Sequence, residues 1–187
     1  MDKKRARSEI KRRLRAMTPE EKARKSREIC ERVMQLPEFQ RARAVMLFAS
    51  MPDEVDTRLL FERSFADGKR VASPRCVTGE RMIHPVLVRS MRDLAPGAYG
   101  ILEPTGGETI PVEEIDFVLV PGYGFDRAGN RLGKGAGYYD KFMSQPGFRA
   151  TRCAVTFAAQ LLDETPHDDR DIPVQVLVTE NETLRFP

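Results

Sequence analysis

The run Ala44-Val45-Met46-Leu47-Phe48-Ala49 contains no polar side chain, as expected of a short strand covered by apolar layers on both faces. Ser50-Met51-Pro52-Asp53-Glu54 leaves it as a loop, and Asp56 or Thr57 stands where a helix to about Phe65 would be capped. Asp67-Gly68 breaks that helix, and Arg70 to Ser73 reads as the next strand, stopped by Pro74. Strand, helix and strand in this order make a β-α-β unit, whose strands run parallel.

Outward from this unit the pattern repeats. Ile115-Asp116-Phe117-Val118-Leu119-Val120 is a second buried-type strand ended by Pro121-Gly122, and Arg152 to Phe157 and Val174 to Val178 complete the set. The segment between about 75 and 114 is rich in Pro and Gly and reads as edge strands and loops, with one strand around Met82 to Val88. Towards the amino terminus, Ile10, Leu14 and Met17 fall at spacings of four and three, which predicts a helix over 3–17 with one apolar stripe. Thr18-Pro19-Glu20-Glu21 restarts the chain as a capped helix to about Leu36, and Pro37 ends it. Alternating strands and helices predict an α/β fold: one domain over 1–187, with an open, mostly parallel sheet flanked by helices in a Rossmann-like three-layer arrangement. Such sheets bind ligands in loops at the carboxyl ends of their strands.

Composition narrows the function classes. A chain of 187 residues, 41% apolar, can bury one full core. It has no apolar run long enough for a membrane span and no apolar signal core at its start, so a cytoplasmic protein is expected. Cys30, Cys76 and Cys153 form no C-x-x-C pair, and His84 and His167 stand apart, which suggests neither a disulfide framework nor a zinc site. The net charge of +3 is uneven: Lys3, Lys4, Arg5, Arg7, Lys11, Arg12, Arg13 and Arg15 oppose only Asp2 and Glu9 in the first fifteen residues. This basic helical arm, at about 1–17, suits a polyanion such as a nucleotide triphosphate, or equally a solvated helix face.

Between Gly129 and Gly137 four glycines alternate with Arg131 and Lys134, ahead of a helix from about Gly137 to Met143. Small residues let backbone N–H groups approach an anion and the two cations add charge, the makings of a phosphate cradle. It is not a P-loop, since Gly133-Lys134 follows Gly129 too closely and Gly135 replaces Ser or Thr; it is not a dinucleotide fingerprint either. Tyr138-Tyr139-Asp140 then offers two rings for stacking and a carboxylate able to ligate Mg²⁺. Glu54 leaves a buried strand at its carboxyl end, where ligands bind, although a lone Glu is more commonly a surface acid. Asp163, Glu164, Asp168, Asp169 and Asp171 could complete a Mg²⁺ shell or form a solvated loop.

Pro121-Gly122, Phe125-Asp126, Gly129 to Gly135 and Gly137-Tyr138-Tyr139-Asp140 together resemble the 5-formyltetrahydrofolate cyclo-ligase family, and the likeness extends over almost the whole chain. Asp53 to Thr57, Asp171 and Val178-Thr179-Glu180 fall in the family's order. The family's amino-terminal pattern K-x-x-L-R is matched in position by Lys3 to Arg7, with Ala6 at the leucine, and in spelling by Lys11 to Arg15. Gln175 stands where an acid is common, and Ala136 where Gly or Lys is.

The resemblance implies ATP-dependent cyclisation of 5-formyltetrahydrofolate to 5,10-methenyltetrahydrofolate, by phosphorylation of the formyl oxygen and attack by N10. It implies ATP contacts from Lys3, Lys4, Arg7, Arg131, Gly133, Lys134, Gly135, Ala136, Gly137, Tyr138 and Tyr139, and catalytic roles for Lys134, Arg131 and Tyr138. Folate would meet Met51, Glu54 and Lys134 to Tyr138, and Mg²⁺ would sit on Asp140 and Asp171. The partners implied are ATP and the formyl-folate alone, with no nucleic acid, membrane or obligate protein partner. The alternative reading is a non-catalytic folate- or nucleic-acid-binding protein.

Overall fold

The computed structural model describes residues 2–97 and 100–187. Its elements are α1 (Lys3–Arg15), α2 (Pro19–Gln35), α3 (Pro37–Arg41), β1 (Ala44–Met46), α4 (Arg58–Ala66), β2 (Arg70–Val77), β3 (Met82–Val88), β4 (Leu94–Pro96), β5 (Leu102–Pro104), β6 (Phe117–Val120), β7 (Gly124–Phe125), β8 (Arg131–Leu132), α5 (Tyr138–Met143), β9 (Thr151–Val155), β10 (Val176–Val178) and β11 (Thr183–Arg185). Seven strands form one sheet in the order β11-β10-β9-β6-β1-β2-β3. The inner five run parallel, and β3 and β11 close the two edges antiparallel. The expected open, mostly parallel α/β sheet is present.

Strand alternation builds the layers. Val45, Phe117, Leu119 and Cys153 point into one buried cluster with Ile10, Ile29, Val33, Leu60 and Phe61 from α1, α2 and α4. Met46, Val118, Val120 and Ala154 point into another, closed by Phe142 and Met143 of α5 together with Phe125 of β7 and loop residues Ile110 and Ile115. Phe39 of α3 meets Phe117 edge to face at 5.3 Å. One face is therefore covered by helices and the other largely by loops around the short α5.

Boundaries differ where prolines act. Pro74 does not stop β2, which continues to Val77: Pro74 faces Pro85 of β3 and lies past the last β1–β2 pair, Met46 with Ala72, so no neighbour needs its missing N–H. Pro37 does separate two helices, but it also opens the second, taking the first-turn position of α3. Thr18 caps α2 in a full capping box with Glu21. Of the middle segment, Ala98 and Tyr99 lie outside the described residues.

The amino-terminal helix is packed, not a free arm. Ala6 and Ile10 are fully buried and Leu14 nearly so. Ile10 lies on Gly124, where an added Cβ would come within 2.3 Å of its Cδ1. Arg13 donates to the Leu161 carbonyl at 2.9 Å, fixing the other flank. Removing buried methyl and methylene groups from such a contact leaves a cavity. Ile10→Ala is expected to lower unfolding free energy by about 2–4 kcal/mol, and Lys11→Ala, on the exposed face, by under about 0.5 kcal/mol; urea titration distinguishes the two.

Candidate functional site

From β1 the chain moves through α4 to β2 on one side, while β6, β9 and β10 lie on the other. The reversal falls between β1 and β6, and the loops after their carboxyl ends splay apart there. A cleft of about 990 Å³ opens at this point, walled by α1, the loop after β1, the end of β2, β5, the segment from Arg131 to Lys141 and the segment from Asp168 to Ile172.

The glycine-rich stretch divides into two parts. Gly129 to Leu132 belongs to a β7–β8 hairpin, a feature the sequence reading did not separate from the loop. Its turn is held by Asp126, whose carboxylate accepts from Ala128 N at 2.9 Å, Asn130 N and Asn130 Nδ2 at 3.0 Å, and Thr165 N at 2.9 Å. Burial alone would raise the Asp126 carboxyl, but these N–H donors outweigh it and hold it below the ordinary aspartate value. The loop proper is Gly133 to Gly137. Gly135 and Gly137 both take positive φ, 109° and 70°, conformations that side chains rarely adopt.

Arg131 of β8 and Lys134 of the loop take different partners. Arg131, 7% exposed, donates to Asp140 Oδ1 at 2.6 Å and to the Pro121 carbonyl at 3.3 Å. Asp140 Oδ1 also accepts from Ile172 N at 3.0 Å. Lys134 reaches across the cleft to Glu54 Oε1 at 2.6 Å, and Glu54 Oε2 accepts from Met51 N at 2.7 Å. The loop after β1 and the loop between β8 and α5 are thus joined by one ammonium–carboxylate pair.

From α1, Arg7 donates to the Gly133 carbonyl at 2.9 Å, and Lys3 lies 3.1 Å from Asp171 Oδ2 and 3.6 Å from Asp168. Lys4, one residue round the helix, is exposed and does not line the cleft, and neither does any of Lys11 to Arg15. Tyr138 and Tyr139 line the cleft, but the Tyr139 hydroxyl is buried without a partner among the described residues. Met51 enters the site only through its backbone N–H, and its side chain does not line the cleft. Asp163 and Glu164 lie outside the cleft, while Asp168, Asp169 and Asp171 line it. Among the described residues no three His, Cys, Asp or Glu side chains gather as a metal cage.

Three residues here were given no role from sequence. Asp126 stood in the family-like motif, and its Asp-x-x-Gly-Asn spacing, which suits an Asx turn, was the signal for what it does. Cys76 and Glu103 come from the irregular middle segment and had none.

Fold and site together define a parallel-sheet α/β protein with a cleft at its topological switch point, walled by a short glycine loop and an amino-terminal helix that carry Lys134, Lys3 and Arg7 into it. Comparisons with known proteins make this specific. A family model described as the 5-formyltetrahydrofolate cyclo-ligase family matches residues 1–180. The mouse 5-formyltetrahydrofolate cyclo-ligase is 30% identical over 186 residues, covering 94% of this chain and 92% of the mouse protein. A probable 5-formyltetrahydrofolate cyclo-ligase of Schizosaccharomyces pombe is 35% identical over 172 residues, 84% of each chain. The solution structure of Aquifex aeolicus 5,10-methenyltetrahydrofolate synthetase superposes with a TM-score of 0.85 at 35% identity, covering 99% of this chain and 93% of that one. The chain belongs to the 5-formyltetrahydrofolate cyclo-ligase family, and is a ligase of folate one-carbon metabolism.

Asp126 gives a pH test of the hairpin. Its folded-state value is depressed, so its contribution is complete above the unfolded aspartate value of about 3.9 and is lost as pH falls through the lower folded value. Asp126→Asn is therefore expected to be less stable than wild type at pH 7, with the gap closing as the pH is taken below about 4, as followed by thermal melts across that range.

Proposed function

We propose that this chain closes the 5,10-methenyl bridge of tetrahydrofolate from its 5-formyl derivative, consuming ATP, with the cleft at the β1–β6 switch point as the active site. The observation that carries this is the Lys134–Glu54 pair at 2.6 Å, which brings the phosphate-side loop and the folate-side loop into direct contact. A reaction that moves a phosphoryl group from nucleotide to formyl oxygen needs both ligands side by side at such a point.

The N5 formamide is a poor electrophile. In the proposed sequence its oxygen attacks the γ-phosphorus, ADP leaves, N10 adds to the activated carbon and loses its proton, and the C–O bond breaks to release phosphate. Lys134, 42% exposed and held among the described residues only by Glu54, is placed to swing onto the transferring phosphoryl group. Lys3 and Arg7 approach the same cleft from α1 and are assigned to the phosphate tail of ATP. Of the amino-terminal cations, these two are favoured over Lys4 and over Lys11 to Arg15 because only they line the cleft. Arg131 keeps its guanidinium on Asp140 and acts by setting the loop. Backbone groups of Gly133 to Gly137 and the Tyr138 ring complete the ATP and folate contacts, and Glu54 orients the folate.

Mg²⁺ fits the donor set as a partner of the nucleotide. Asp140 has Oδ1 committed to Arg131 and Ile172, and Asp171 has Oδ2 committed to Lys3 and Asp168 N, leaving one oxygen on each. One or two carboxylates plus phosphate oxygens is the usual protein share of a Mg²⁺ shell. When bound there, the ion would supply charge neutralisation at the phosphates. No described helix is long and apolar enough to cross a membrane. We assign the activity to one folding unit, working in the cytosol on small-molecule substrates without a protein partner.

The direct assay is the near-ultraviolet absorbance of the methenyl product, which should rise only when ATP, Mg²⁺ and 5-formyltetrahydrofolate are all present. In that assay Lys134→Ala is expected to lower turnover about ten- to a few hundredfold with little change in melting temperature. Wild-type turnover at saturating ATP would remove Lys134 from the chemistry. Asp140→Asn should raise the Mg²⁺ needed for half-maximal rate, since the amide keeps the shape and loses the charge; an unchanged titration would move the ion elsewhere.

A further inference from the structure

Glu103 is a buried carboxylate on the cleft wall that the mechanism above does not use. It sits on β5 at 8% exposure and lines the cleft. Among the described residues, no cation lies within ion-pair distance and no backbone N–H donates to it. Neither of its oxygens is among the buried side-chain atoms left without a partner: the carboxylate opens onto the cleft beside the Cys76 thiol and keeps acceptor capacity for a ligand. The backbone of Gly97 is pressed against it, so that a Cβ there would come within 2.7 Å of Oε2.

Its neighbours extend the same wall. Cys76, at the end of β2, lines the cleft beside it; burial and then the Glu103 charge push the thiol up to about 11, so it stays protonated and is at most a weak donor. Next along is the Tyr139 hydroxyl, buried and without a partner among the described residues. Burial first, then the nearby Cys76 and Glu54, raise its ionisation, so it too remains a neutral donor and acceptor. The wall thus runs from Glu54, beside the phosphate loop, through Tyr139 and Cys76 to Glu103.

We propose that Glu103 is a specificity-determining residue that reads the 2-amino-4-oxopyrimidine edge of the pterin, with the Tyr139 hydroxyl completing the polar contacts along the ring. This rests on the folate reading of the site. The pyrimidine edge carries N3–H and the 2-amino group side by side, two donors that match the two oxygens of one carboxylate. N5 and its formyl group lie on the other side of the pterin, so anchoring the pyrimidine at Glu103 directs the formyl oxygen back towards Glu54 and Lys134. A buried acceptor of this kind also rejects rings lacking the donors, because its oxygens would then be left unpaired.

The test measures equilibrium binding, without turnover, of 5-formyltetrahydrofolate and of its 2-desamino-2-methyl analogue to wild type, Glu103→Gln and Tyr139→Phe. Wild type should bind the analogue about tenfold or more weakly than the parent. Glu103→Gln should weaken the parent by a similar factor, leave the analogue within about twofold, and leave ATP affinity and melting temperature unchanged. Tyr139→Phe should weaken the parent while melting no lower than wild type, since it removes a hydroxyl that has no partner in the free protein. Equal weakening of parent and analogue by Glu103→Gln, or wild type that binds both ligands equally, would overturn the proposal; the second comparison stands even if the variants fold poorly. Failure of wild type to bind 5-formyltetrahydrofolate at all would instead remove the folate reading beneath it.

Discussion

The site depends on one buried guanidinium. Arg131 receives almost no solvent, yet it joins the carbonyl that ends β6, at Pro121, to the first turn of α5, at Asp140, and through the second bond of that carboxylate to the backbone at Ile172. Three separate stretches of chain are held at one centre. A lysine could not do the same, since the planar fork is what allows two partners to be met in fixed directions. Removing either member of such a pair leaves an uncompensated charge, typically at a cost of about 3–5 kcal/mol. Both ends of the glycine loop are fixed this way, and between them Lys134 reaches out to Glu54.

The second constraint is the contact of α1 with the body. An apolar stripe of Ala6, Ile10 and Leu14 has to face inward, and the absence of a side chain at Gly124 lets it come close. Once that stripe is seated, the helix period decides which cations face the cleft: Lys3 and Arg7 lie on the side towards Gly133 and Asp171, and Lys4 and Arg5 point to solvent. A cluster that looks uniform in sequence is divided by the packing into cleft-facing and solvated halves.

The parallel core of the sheet was legible because continuous apolar runs such as Val118-Leu119-Val120 survive only where both faces are covered. The glycine loop was legible from its residue types and from family resemblance. Pro74 was misread because its tolerance depends on where the neighbouring strand stops, which is a tertiary fact. The β7–β8 hairpin was hidden by strands of two residues each, too short for any period. The ion pairs were out of reach for a related reason: Lys3 and Asp171 stand 168 positions apart, and nothing local marks them as partners. Glu103 lay in the Pro- and Gly-rich middle segment, where edge strands give little pattern to read.

In the proposed mechanism ATP acts by phosphorylating the formyl oxygen inside this cleft. The most direct measurement follows that oxygen: 5-formyltetrahydrofolate carrying ¹⁸O in its formyl group is converted with unlabelled ATP in ordinary water, and the released phosphate is analysed by mass. The phosphate is expected to carry the formyl ¹⁸O, one label for each methenyl bridge formed. Methenyl product accompanied by unlabelled phosphate would show that ATP is cleaved by water and that the ring closes by another route.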